Sequence, residues 1–340
     1  MNFKSVLSSA IIRGAAALLM AAGAISCNTI YDDQSECPRG VSLRFVYDYN
    51  MEYVNSFHKK VHCVNVYVFD ENGKYVDNWM ETGDVLKDEN WRMQKEIGEG
   101  KYTLLAYGGL CCKDSSFKPL QLQSRANDQS EISGVVVSLL HRDWISDQSL
   151  HPLFYGIAEL EVGKDDYVEK TIYLKKDTNN IRFALQQMNG EAITADEFDV
   201  TIVDDNTVLD WQNEPMPAGL VTYKPWAKGE TVIGSGEDGE TPVTAAYYEL
   251  STSRLTTSTS PRLIVYNKEK GENIINIPLN TYLLFLKSEL YANMPAQEFL
   301  DRESEWSLVF FLDSNNRWYN TRIIVNDWVV RKIGRASCRE

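Results

Sequence analysis

The sequence predicts an all-β protein, two β-sandwich domains in tandem with little helix. Three observations carry this. Apolar and polar residues alternate at period two along most of the chain, the mark of half-buried strands. Clusters of turn-forming residues punctuate these runs at short intervals. Two strands of the first half also recur in the same order in the second, which points to a duplicated sandwich.

In chain order, Val41, Leu43, Phe45 and Tyr47 share one side of a strand, with Ser42 and Arg44 between them. Val64, Val66 and Val68 repeat the pattern and run into Asp70-Glu71-Asn72-Gly73, a hairpin signal. Tyr102, Leu104 and Ala106 form a strand after the turn Gly98-Glu99-Gly100, and Val135, Val137, Leu139 and then Thr171 to Leu174 supply two more. After the polar break Thr178-Asn179-Asn180 the pattern begins again. Residues 181–185 echo residues 43–47, and residues 198–206 echo residues 64–72. Further strands are expected at Arg262 to Tyr266, Asn273 to Leu279 and Tyr282 to Leu286, and a short helix from Pro295 to Leu300, with proline near its first turn. A closing hairpin runs from Trp306 to Leu312, turns at Ser314-Asn315-Asn316 and continues from Trp318 to Trp328; residues 234–240, rich in glycine and acid, form a mobile surface loop. The domains are therefore residues 37–177 and 178–331.

The ends differ from this body. Lys4 and Arg13 precede an apolar stretch from Ala15 to Ile25, and Ala24-Ile25-Ser26-Cys27 closes it. A basic start, a short apolar run and small residues before a cut make a signal peptide over residues 1–26. The run is shorter than the ~18 residues expected of a spanning helix, so it targets and does not anchor. The cysteine at the cut makes it a lipoprotein signal, with Cys27 as the acylated N-terminus and residues 27–36 as an acidic tether. Several acyl chains give firm attachment where one gives only marginal binding. Asp32, Asp33 and Glu36, just behind the lipid, resemble signals that send some bacterial lipoproteins to the outer face of the outer membrane. At the other end, residues 332–340 break from the strand pattern and translate a string resembling a common sequencing adapter. They are set aside, with the natural sequence followed only to about Arg331.

Without signal and tail, 29 basic residues face 47 acidic ones, a net charge of −18. Such a surface repels nucleic acid, and no basic stripe offsets it. About 300 mature residues suit two domains. Four cysteines remain in the body, Cys37, Cys63, Cys111 and Cys112. In an exported protein an even number permits disulfides. An adjacent Cys111–Cys112 bridge would be strained, so a link from Cys37 or Cys63 to the Cys111-Cys112 corner competes with buried free thiols.

No catalytic constellation emerges. His58 and His62 are four apart but run into a strand and lack a metalloprotease glutamate. His141 and His151 have no partner motif, and neither a nucleophile elbow nor a phosphate-binding loop is present. The acidic pairs Asp70-Glu71, Asp204-Asp205 and Glu237-Asp238 sit at turns, where solvated loop residues explain them better than a calcium site or a glycosidase pair. Trp79, Trp91, Trp226 and Trp318 can stack on sugars, but core packing is the commoner role. No enzyme activity, metal or cofactor is expected, apart from the covalent lipid on Cys27.

Ile30-Tyr31-Asp32-Asp33, Cys37-Pro38, Gly40-Val41 and Leu43-Arg44-Phe45 through Tyr47-Asp48-Tyr49-Asn50-Met51 resemble the start of mature FimB-type fimbrial anchor subunits of Bacteroidales. Residues 67–73, Glu81-Thr82-Gly83, the stretch from Tyr102 to Leu110 and Val325-Asn326-Asp327-Trp328 extend the likeness in order along the chain. The resemblance implies two transthyretin-like sandwiches and a lipid on Cys27. It implies a place at the base of a fimbria on the outer membrane, joined to stalk subunits by β-strand exchange, with a role in limiting filament length. The alternative is a surface adhesin or glycan-binding lipoprotein on the same fold.

Overall fold

The computed structural model describes residues 40–120, 131–164, 167–235, 242–325 and 328–333. The expected signal peptide, Cys27, the tether, Cys37 and residues 334–340 lie outside the described residues. The first half contains β1 (Gly40–Val46), β2 (Cys63–Asp70), β3 (Tyr75–Thr82), β4 (Met93–Lys95), β5 (Gly100–Gly108), β6 (Phe117–Pro119), β7 (Val137–Leu139), β8 (Ile145–Ser146), β9 (Phe154–Val162), β10 (Tyr167–Tyr173) and β11 (Lys175–Lys176), with a single-turn helix α1 (Phe57–Lys60). The second half contains β12 (Thr178–Gln187), β13 (Phe198–Asp204), β14 (Val208–Leu209), β15 (Val221–Tyr223), β16 (Ala227–Ser235), β17 (Pro242–Ser253), β18 (Arg262–Asn267), β19 (Glu272–Pro278), β20 (Glu305–Leu312), β21 (Trp318–Val325) and β22 (Trp328–Ile333). Two short helices, α2 (Leu279–Leu284) and α3 (Ala296–Arg302), precede β20.

Each half is a sandwich. The first stacks the sheet β10-β1-β4 on β11-β9-β5-β2-β3, and the second stacks β16-β17-β12-β20-β21-β22 on β19-β18-β13-β15-β8. Inward side chains alternate as the period predicts. Val41, Leu43 and Phe45 of β1 meet Val64, Val66 and Val68 of β2, and Leu104 and Ala106 of β5 complete that core. The halves share a pairing scheme. β1 pairs parallel with β10 and antiparallel with β4, while β12 pairs parallel with β20 and antiparallel with β17. β2 and β13, the next long strands of each half, each have two antiparallel neighbours.

The halves are stitched together. β8, from the first half, adds in parallel to β15 of the second, and β14 of the second pairs with β7 of the first. The outward residues of β2 and β5, Tyr67, Phe69, Leu105 and Tyr107, join the same apolar cluster as Ile181, Phe183 and Phe310. This explains why β2 is buried on both faces instead of one. Period two identifies its Val64-Val66-Val68 side, but the opposite side is covered only once the second half docks.

Two expected strands differ. Tyr282 to Leu286 is not a strand, because residues 279–284 form α2. Leu279, Tyr282, Leu283 and Leu286 are buried. Their spacing of i, i+3, i+4 and i+7 is that of a helix face, on which Tyr282 stacks against Phe310 at 5.2 Å. Trp318 to Trp328 is not one strand either. Val325 faces Trp328 in antiparallel register, so the run divides into β21 and β22. β22 continues to Ile333, two residues into the segment set aside as a tail.

The chain crosses between the halves at Asp177, which is fully buried. Arg254, 2% exposed, grips Asp301 with two parallel hydrogen bonds, Nε to Oδ1 at 2.9 Å and Nη2 to Oδ2 at 3.0 Å. Its Nη1 donates to the Asn213 carbonyl, and Asn213 Nδ2 donates to Asp177 Oδ1 at 2.8 Å. Nearby, the Arg302 guanidinium lies between the rings of Tyr49 and Tyr53, at 4.0 and 4.6 Å, clasping a first-half loop to α3.

Burial pushes the Asp177 carboxyl up to about 7 against the opposing pull of Arg254. The folded protein therefore holds this proton more tightly than the unfolded chain. The stability linked to it is full below about pH 4 and is lost as pH rises through about 7. Asp177→Asn should flatten the fall of melting temperature between pH 5 and pH 8. An unchanged slope in differential scanning calorimetry would contradict this assignment.

Candidate functional site

The features that bear on function lie at the entry to the first sandwich, at its disulfide and on the free sheet edges. β1 is the first described strand; it is paired with β10 along its whole length and with β4 on the other side from Val41 to Leu43. Gly40 opens it at φ +130°, and the Lys95 carbonyl oxygen stands where a β-carbon would be, so any side chain would collide. The glycine of the Gly40-Val41 landmark thus sets how the chain enters the sheet. The Asp70-Glu71-Asn72-Gly73 landmark is the β2–β3 turn, with Asp70 Oδ1 accepting from the Asn72 and Lys74 amides at 2.8 and 2.9 Å.

Of the candidate cysteines, Cys63 and Cys112 are bridged, with α-carbons 5.5 Å apart. The pairing follows from topology. Cys63 opens β2, its carbonyl accepts from the Gly109 amide just beyond β5, and the next turn brings Cys112 back to it. Cys111 is free and half-buried, and burial pushes its thiol up to about 11. Cys37 and Cys27 lie outside the described residues, so the structure places neither of them relative to this corner.

The remaining candidates separate. His58 sits on α1 with Nδ1 at 3.1 Å from the Leu86 carbonyl, and His141 stacks on Trp144 at 4.6 Å. Among the described residues no three His, Cys, Asp or Glu side chains gather as a metal site, and no helix is long and apolar enough to cross a membrane. Trp79 is buried, Trp91 stacks on Phe45, and Trp318 packs against Phe310. Trp226 stands out from the surface at 42% exposure. Asp204, at one acidic turn, is buried, and burial raises its carboxyl to about 6; it accepts a hydrogen bond from Thr259. Sequence reasoning missed the Asp177–Arg254–Asp301 cluster, whose members are scattered along the chain without a shared spacing.

The family profile of Mfa2, described as fimbrillin-A associated anchor proteins Mfa1 and Mfa2, matches residues 34–334. The chain belongs to this family. It is 24% identical over 176 residues to the minor fimbrium anchoring subunit Mfa2 of Porphyromonas gingivalis, a match covering 49% of this chain and 52% of that protein. The match thus spans about half the length of that curated relative. A solved structure of a candidate adhesin from Bacteroides thetaiotaomicron is 47% identical, with a TM-score of 0.80, covering 88% of this chain and 99% of that one. The fimbrial anchor protein Mfa2 of P. gingivalis superposes with a TM-score of 0.64 at 18% identity, over 87% of this chain and all of that one, and so shares the fold.

The disulfide ties β2 to the end of β5 across 49 residues. Cys112→Ser should lower stability by about 2–4 kcal/mol, whereas Cys111→Ser should change it little. Chemical denaturation of both variants checks this, and equal losses would contradict the pairing.

Proposed function

We propose that this chain is the lipid-held base of a fimbria, fixed to the outer membrane through Cys27 and facing outward. The observation that carries the reading is the anchor-family match, which begins a few residues beyond Cys27. Stalk subunits join by strand exchange at a free sheet edge, where main-chain hydrogen bonds supply affinity and alternate side chains supply selection. β3 and β16 are long edge strands with one neighbour each. Because the subunit keeps its lipid, it ends the filament at the membrane and so bears on filament length. The role needs no catalytic group.

The geometry suits a tether under tension. Pull on the lipid arrives at the N-terminal end of β1, and pull from the second sandwich arrives beyond the C-terminal end of β10. These strands are parallel over seven residue pairs. The two forces act at opposite ends of the pair and load its hydrogen bonds together in shear, where a hairpin would peel open one bond at a time.

The test compares wild-type cells with a Cys27→Ala strain for fimbriae on cells and in the culture fluid. Filaments shed into the fluid, with few left on cells, are expected. Fimbriae that stay on the cells unchanged would sink the reading and move a separate adhesin role ahead of it.

A further inference from the structure

The outward face of the sheet β16-β17-β12-β20 is not a smooth wall. Register places Gly229 beside Tyr247, Tyr247 beside Ala184 and Ala184 beside Val309. Ala227, Ala184 and Ala245 line the same depression, and these small residues let it sink between larger ones. Trp226, Ile233 and Phe311 flank it, and the groove measures about 680 Å³. This is the range of small-ligand sites, roughly 300–1,000 Å³.

One side chain is specially seated. The Tyr247 ring lies down across β16, so close to Gly229 that a β-carbon there would stand 2.9 Å from the Tyr247 hydroxyl and 3.1 Å from the ring. Glycine therefore lets the ring lie flat along the sheet. Trp226 flanks it, held by its amide on the Glu249 carbonyl at 2.9 Å. The charged side chains lining the groove, Arg182 and Glu249, pair with each other at 2.6 Å and cancel. On a chain of net charge −14, this is a neutral pocket with hydrogen-bonding groups at its edge.

We propose that this groove binds a neutral oligosaccharide. A flat aromatic face suits the apolar C–H face of a sugar ring. Gln186, Arg182 and Glu249 offer donors and acceptors to its hydroxyls. Charge selects against acidic glycans in the groove itself, where the one lining cation, Arg182, is already paired with Glu249. Trp226 also lines an adjoining cleft toward Phe198 and Lys224, so a ligand longer than one sugar can run over its ring. The proposal goes beyond the anchor reading and stands or falls apart from it.

The test uses the lipidated mature chain in detergent. A glycan array presents neutral gluco-, galacto- and manno-oligosaccharides beside sialylated and sulfated ones, and the best neutral ligand is titrated by tryptophan fluorescence. Binding is expected to weaken at least tenfold in Tyr247→Ala, Gly229→Val and Trp226→Ala, and to stay unchanged in Trp144→Ala, an exposed tryptophan elsewhere. Should the strand variants fail to fold, Trp226→Ala, outside the strands, decides alone. The proposal is overturned if no neutral glycan binds, if acidic glycans are preferred, or if Trp226→Ala keeps full affinity. Saturation by an alternating Thr-Val peptide without glycan binding, or a dimer lost in Trp226→Ala on sedimentation, would likewise overturn it by assigning the groove to a strand or to a second copy.

Discussion

The relation between the two sandwiches depends on Arg254. It is a buried cation, and a buried cation is tolerated only where its hydrogen-bonding groups are matched. Asp301 meets it with both carboxylate oxygens, and Asn213 links it to Asp177 at the crossing point of the chain. These residues come from the domain junction, the loop beyond β14, the end of β17 and α3, so the cluster forms only when all four are in place. Removing one partner leaves buried charge or polar atoms without their match. The apolar seam beside it supplies the larger favourable term, but apolar contact has no direction. The ion cluster supplies the direction.

A seam of this kind turns two sandwiches into one transmitting body. The outward face of the β2–β5 sheet is buried by the second half, and strands from each half enter the other's sheets. Tension arriving at β1 therefore cannot separate the halves without breaking strand pairing, the Arg302 clasp and the Arg254 cluster. Within the first half, the same tension meets β1 in shear, and the Cys63–Cys112 bridge closes the neighbouring corner covalently. Each feature suits the proposed place between a membrane and a filament.

The strands were largely legible because their physics is local. Alternation in β1, β2 and β5 and the Asp70 turn follow from residues next to one another. The repeat of residues 43–47 at 181–185 was also visible, and its strands β1 and β12 do occupy matching places in their sheets. Tyr282 to Leu286 misled because a short apolar run fits either period, and only Leu279 and the preceding Pro278 mark it as a helix start. The second buried face of β2, the Arg254 cluster and the seating of Tyr247 on Gly229 were not legible. Each depends on residues brought together from distant segments, and no spacing in the chain records them.

If this chain is the base of a fimbria, its place on the filament is the most direct evidence. Immunogold labelling of the chain on fimbriae released with their membrane patches would locate it by electron microscopy. Label confined to the membrane-proximal end of each filament is the expected result. Label spread along the shaft, or concentrated at the distal tip, would contradict it.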